Sequence, residues 1–161
     1  MIDINITKKN EMLRAAEGTG VFRKKEIEIL EELIDEIFSR KETTYRIFSR
    51  LNGPDLEGFA IFGRTPLTDF SWDIYWMVVS SADQGKGVGR YMLQEIEKAI
   101  VEQTPRAVIR VETSTRKEYS PARTFYLRQG FLEAGRIEDF YSSGDGLVTY
   151  VKNINNQKGG V

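Results

Sequence analysis

One short segment constrains this chain more than any other: Gln84-Gly85-Lys86-Gly87-Val88-Gly89-Arg90. Before it comes an apolar stretch, residues 70–80, rich in aromatic and β-branched side chains. After it, Val88, Met92, Ile96 and Ile100 recur four apart as an apolar stripe. The first pattern predicts a strand and the second an amphipathic helix. Glycines at such a junction let a ligand approach the backbone closely. The helix start beyond them offers unpaired N–H groups and the positive end of a dipole. Together these suit a phosphate or pyrophosphate. Two familiar phosphate loops are excluded. A dinucleotide fingerprint counted from Gly85 or Gly87 needs glycine where Arg90 or Met92 stands, and a Walker loop needs Ser or Thr where Gly87 follows Lys86.

The rest of the chain supplies a frame for that loop. Ile2, Ile4 and Ile6 alternate, a short strand signal. Residues 8–17 predict a helix closed by Gly18. Ile27, Leu30, Ile34, Ile37 and Phe38 place an amphipathic helix over residues 24–39. Strands are expected at 45–51 and 56–62, joined by the turn Asn52-Gly53-Pro54-Asp55, and the strand over 70–80 completes an antiparallel meander. Thr104-Pro105 ends the helix after the glycine loop, and residues 107–113 form the next strand. A helix over 121–129 has Ser120 as its N-cap, Pro121 at its first position and Gly130 as its closing glycine. Strands over 131–141 and 147–151 flank Ser142-Ser143-Gly144-Asp145-Gly146 as a hairpin. This order predicts an α/β fold, a mixed sheet with helices on both faces. We expect a single domain over residues 1–154 and a flexible tail over 155–161.

Composition narrows the chemistry. The chain of 161 residues has 23 basic and 24 acidic side chains, which argues against a nucleic-acid binder. It has no Cys and no His, so thiolate nucleophiles, imidazole bases and Cys or His metal ligands are all excluded. No calcium-loop spacing is present, and no metal is expected. Any acid or base must be Asp, Glu, Tyr, Lys or water. No stretch approaches the roughly 20 apolar residues of a membrane span, and the first residues lack a signal-peptide pattern. A cytoplasmic location away from membranes is the expectation.

Gln84-x-x-Gly87-x-Gly89 resembles the acetyl-CoA pyrophosphate loop of the GNAT superfamily of N-acetyltransferases. A second segment, Ala122-Arg123-Thr124-Phe125-Tyr126-Leu127-Arg128-Gln129-Gly130-Phe131, resembles that superfamily's second CoA motif. It carries an Ala, a Tyr four residues later, and Gly-Phe closing the helix. The motifs stand in the superfamily's order, and the expected elements match its fold over roughly residues 2–152. The sheet is then expected to hold about seven strands, mostly antiparallel. One departure is Tyr119, seven residues before Tyr126, where the family often has Asn.

The resemblance implies direct transfer of an acetyl group from acetyl-CoA to a primary amine in a ternary complex. The strand over 70–80 would part from the strand over 107–113. Pantetheine would extend the sheet on backbone groups of Met77 and Val79, with the Met77 N–H facing the developing oxyanion. N–H groups from Gln84, Gly85, Lys86, Gly87, Val88, Gly89 and Arg90 would take the pyrophosphate, and Lys86 and Arg90 would add charge. Lys117, Arg123 and Arg128 are candidates for the 3′-phosphate. Phe125 and Tyr126 would line the cofactor, with Tyr126 as general acid for the departing thiolate.

Asp73 stands where several members carry a Glu base. A carboxylate on a buried strand is costly unless paired, so Asp73 is either the base or an ion-pair partner; a water chain is the alternative base. The acceptor is unnamed. Phe22, Phe70, Trp72, Tyr75, Trp76, Phe140 and Tyr141, with Asp69, Glu138, Asp139 and Asp145, would suit a cationic amine or simply form core and rim. The resemblance also admits a homodimer, another acyl-CoA donor, or a CoA-binding module without catalysis.

Overall fold

The computed structural model describes residues 8–155. Its elements run in the order α1 (Lys9–Gly18), α2 (Lys24–Ser39), β1 (Tyr45–Asn52), β2 (Asp55–Arg64), β3 (Ser71–Val79), α3 (Val88–Val101), β4 (Arg106–Ser114), α4 (Ser120–Arg128), β5 (Leu132–Ser142) and β6 (Asp145–Asn155). The described strands form one mixed sheet in the order β1-β2-β3-β4-β6-β5. That gives six strands; the further strand expected over residues 2–6 lies outside the described residues, as does nearly all of the expected tail.

The chain divides into two compact units, and β3 and α3 each contribute to both. The first holds residues up to Gly63 together with Trp76–Ile96. Its core joins Met12 and Ala16 of α1, Leu30 and Ile34 of α2, Phe59 and Ile61 of β2, and Val78 of β3. The helical periodicity explains this set, because Leu30 and Ile34 lie one turn apart and share a face. α2 begins where the Arg23 N–H donates to Glu26 Oε2 at 2.7 Å, satisfying one of the orphan donors of the helix start. β1 and β2 pair antiparallel, with an irregularity between Arg50 and Leu51. Gly58 has no substitute on β2: a Cβ there would lie 2.7 Å from the Val78 carbonyl oxygen and 3.1 Å from Met92 Cε. All four stripe residues of α3 are buried, with Met92, Ile96 and Ile100 at 0% exposure.

The second unit holds Arg64–Tyr75 and residues from Glu97 onward. Within it β3 and β4 run parallel, β4 and β6 antiparallel, and β5 and β6 antiparallel. Alternation along β4 buries Ala107, Ile109, Val111 and Thr113 while Arg106, Arg110 and Glu112 face away. β5 is an edge strand exposed along its whole length.

Three local expectations change. α1 ends at Gly18 as an ordinary helical residue, and the left-handed glycine is Gly20, with φ of 69°. Ser120 is the first residue of α4, not its cap; a 3₁₀ turn over Lys117–Tyr119 runs into the helix and makes Tyr119 the N-cap. The hairpin is tighter than five loop residues, because Ser142 pairs with Asp145 and leaves only Ser143 and Gly144 to turn.

Candidate functional site

The glycine loop lies wholly in the first unit. β3 ends at Val79, a 3₁₀ turn covers Ser81–Asp83, and α3 starts at Val88. Gly85 and Gly87 have φ of 76° and 83°, a conformation that L side chains rarely adopt. Open space surrounds the position a Cβ would take at either glycine. Backbone geometry therefore requires glycine at both, while nothing crowds the surface a ligand would approach. Val88 anchors the helix start in the core at 4% exposure. Gly89 and Arg90 complete the first turn, whose N–H groups have no acceptor within the helix. That turn carries no acidic side chain to compete with an anion.

The side chains of the loop are engaged locally. Gln84 Nε2 donates to the Val79 carbonyl at 3.3 Å, tying the loop back to the end of β3. Exposed Lys86 pairs with Asp83 at 3.1 Å. Met77 and Val79 are half-buried residues of β3. Pairing of β3 with β4 covers four residue pairs, from Ser71 with Val108 to Ile74 with Val111. β3 nevertheless continues to Val79 and β4 to Ser114.

The second motif lies in the second unit. α4 buries Tyr126 to 6% exposure. Its ring meets Phe125 and Phe131 edge-on, both at 5.3 Å between centroids, and stacks with Tyr150 at 6.4 Å. Gly130 has φ of 88°, and the Phe131 N–H returns to the Tyr126 carbonyl at 3.1 Å. This αL closure is why Gly-Phe stands at this spacing after Tyr126. Burial pushes the Tyr126 hydroxyl well above the ordinary tyrosine value, so it keeps its proton at neutral pH.

Asp73, also in the second unit, is 6% exposed and engaged at both oxygens. Oδ1 accepts from Arg110 Nε at 2.6 Å, and Oδ2 accepts from the Thr65 hydroxyl at 2.7 Å. The ion-pair half of the expectation for Asp73 is therefore what the geometry displays. Arg123 is spent on structure: its Nη1 donates to the carbonyls of Ser114 and Arg116, at 2.7 and 2.8 Å. Lys117 and Arg128 remain exposed.

The aromatic and acidic set separates. Trp72, at 2% exposure, is core. Phe22 packs on Trp76 at 5.0 Å, and Phe70 lies beneath the Arg106 guanidinium at 4.3 Å. Asp145 is unsuited to an acceptor, being 4% exposed, bonded to the Ser114 hydroxyl and 3.6 Å from Arg116. Asp139 accepts from the Gly144 N–H at 2.6 Å and so holds the hairpin turn. Phe140 and Tyr141 stay about half exposed, packed perpendicular to each other at 5.0 Å. Sequence reasoning missed Arg110, Thr65 and Ser114. Each works through a partner at least eight positions away, and no local pattern announces such pairs. Among the described residues there is no cluster of carboxylates that could hold a metal, and no helix long and apolar enough to cross a membrane.

Comparison with known proteins identifies the family. The sequence model of the acetyltransferase (GNAT) domain matches residues 44–133. A solved protein from Desulfovibrio desulfuricans, described as a GNAT-family acetyltransferase, is 30% identical, with a TM-score of 0.87 over 93% of this chain and 94% of that one. The ribosomal-protein-S18-alanine N-acetyltransferase of Escherichia coli is similar in fold, at 16% identity and a TM-score of 0.74 over 98% and 95% of the two chains. An aminoglycoside 6′-N-acetyltransferase solved with coenzyme A is 14% identical, with a TM-score of 0.71 over 99% and 97%. No curated protein matches the chain. The chain belongs to the GNAT family of acetyltransferases. It is an acetyltransferase.

Proposed function

We propose that this protein transfers the acetyl group of acetyl-CoA directly to a primary amine. The observation that carries the reading is the loop from Gln84 to Arg90, with two left-handed glycines under open space feeding a helix start free of acidic side chains. Such a surface suits the pyrophosphate of a CoA thioester. Coenzyme A bound to the aminoglycoside-acetylating relative supports the same donor. Backbone groups of Met77 and Val79 would take pantetheine in the manner of an added strand, and the Met77 N–H would face the oxyanion. Phe125 and Tyr126 would stand beside the thioester.

The amine nitrogen attacks the thioester carbonyl carbon. The tetrahedral adduct collapses, the C–S bond breaks, and the amide forms. The amine's proton leaves to solvent through a water chain, the route favoured by the double engagement of both Asp73 oxygens. Tyr126 donates a hydrogen bond to the departing thiolate. Its raised pKa makes full proton transfer to so weak a base uphill, so the contribution is modest, roughly tenfold in rate. The amine-acetylating relatives support an amine acceptor, and the exposed Phe140 and Tyr141 suit a cationic one.

Calorimetric titration of the protein with acetyl-CoA, CoA and succinyl-CoA tests the donor. Acetyl-CoA is expected to bind, and Gly87→Asp is expected to weaken it at least about a hundredfold, through forced φ and added negative charge. Unchanged affinity in Gly87→Asp would move the pyrophosphate elsewhere. Absence of binding by any of the three thioesters and thiols would remove the acetyl-CoA reading altogether.

A further inference from the structure

Asp73 and Arg110 are register partners in the parallel ladder of β3 and β4. They stand side by side on the same face, and their side chains close an ion pair at 2.6 Å. This is the third of only four pairs; the ladder ends one residue later, at Ile74 and Val111. Its other end is held by a second arginine of β4. Arg106, four residues back on the same face, lies 4.3 Å over the Phe70 ring, and the Val108 N–H donates to the Phe70 carbonyl at 3.0 Å. Asp73 also accepts from Thr65, whose own N–H is bonded to the Ser71 carbonyl at 2.9 Å. One carboxylate therefore joins the turn before β3, β3 itself and β4. The remaining neighbours are Glu112, 3.6 Å from Arg110 Nη1, and Tyr75, the next residue of β3 on this face.

We infer that Asp73 is a positioning residue that, through Arg110, fixes where the β3–β4 ladder stops. A short parallel ladder frays from its ends. Any shift in its length by one pair changes which backbone groups of β3 are left for another partner. On the proposed reading of the function, on which this inference rests, the stretch of β3 that begins beyond Ile74 runs on to Met77 and Val79, the residues that receive pantetheine. The carboxylate thus acts on donor binding at a distance from the reacting atoms.

The test compares the full-length wild type with Asp73→Asn, Arg110→Ala and the double variant. Asn keeps the shape and an oxygen for Arg110 while removing charge and basicity, and its amide would donate to the Thr65 hydroxyl instead of accepting from it. The first readout is amide hydrogen exchange without ligand. Arg110→Ala is expected to speed exchange of β4 about tenfold while α2, in the other unit, is unaffected. Equal protection in β4 would overturn the clamp, whatever the chain acetylates. The second readout is kinetic. Both single variants are expected to raise the acetyl-CoA KM several-fold more than they lower kcat, to keep the acid limb of the wild-type pH profile, and to combine with no further loss. Loss of that limb in Asp73→Asn with kcat down a hundredfold, and not in Arg110→Ala, would make Asp73 the base and overturn the inference. If wild type binds no acyl-CoA, the proposed function falls, and hydrogen exchange alone decides the clamp.

Discussion

Asp73 and Tyr126 are both buried ionisable groups of the second unit, at 6% exposure each, and the protein treats them in opposite ways. Asp73 has a guanidinium on one oxygen and a hydroxyl on the other. Tyr126 lies among three aromatic rings, and burial alone drives its pKa upward. The difference follows from the cost of desolvation. A carboxylate taken from water needs compensating charge and hydrogen bonds. A phenol avoids that cost by keeping its proton. A group with its charge answered by neighbours is suited to holding structure. A group that stays neutral, with a hydroxyl to offer, is suited to meeting a charge that appears only during reaction.

This contrast predicts unequal costs of truncation. Tyr126→Ala removes a buried ring from contact with Phe125, Phe131 and Tyr150, and should destabilise by about 3–5 kcal/mol. Asp73→Ala should cost less, about 1–3 kcal/mol, since the Arg110 side chain is 43% exposed and can turn to water. Thermal and urea denaturation of both variants measures the gap. A larger loss for Asp73→Ala would show that the ion pair, not the aromatic packing, carries this unit.

The sharper variant is Tyr126→Phe, which keeps the packing and deletes only the hydroxyl. We expect kcat to fall about tenfold and stability to change by less than about 1 kcal/mol. Stopped-turnover assays with thiol detection, beside a melting curve, separate the two. An unchanged kcat would leave Tyr126 with the same purely structural standing as its neighbours and would erase the contrast with Asp73.

What the sequence made legible divides along the same line. The place of Tyr126 in the fold was legible because it depends on local chain geometry: Gly130 and Phe131 close α4 by bonds spanning at most five residues. The glycine loop was legible for the same reason, as were the ends of α2, set by periodicity and the Glu26 return to the Arg23 N–H. Asp73 was legible only as a buried carboxylate in need of a partner. That the partner is Arg110, 37 positions on, depends on a parallel register that one-dimensional patterns do not encode. Asp145 shows the same limit. In sequence it is one more acid near exposed aromatics; in the fold it is buried against Ser114, 31 positions back. Ser120 misled for a smaller reason, since a 3₁₀ turn ahead of α4 takes up the capping position.

One further prediction isolates Tyr126 from every other group. Its folded pKa is raised above the ordinary value of 10.0, with burial as the cause. The unfolded chain, with a normal tyrosine, therefore ionises first. Stability from keeping this phenol neutral is fully present below about pH 10 and is lost as pH climbs from there toward the folded value. The limiting slope is about 1.4 kcal/mol per pH unit for a single group. Tyr150, also raised chiefly by burial, changes in the same direction and is common to both proteins. The difference between wild type and Tyr126→Phe thus reports Tyr126 alone. Melting temperatures should run parallel up to about pH 10, and above it the wild type should fall faster. In turnover, the same protonation predicts no alkaline loss of kcat traceable to Tyr126 below pH 10. A loss of kcat centred below pH 9 that disappears in Tyr126→Phe would mean that the hydroxyl ionises in the reacting complex. The donor would then be feeling a positive neighbour there, as Asp73 does, and the two buried groups would no longer be opposites.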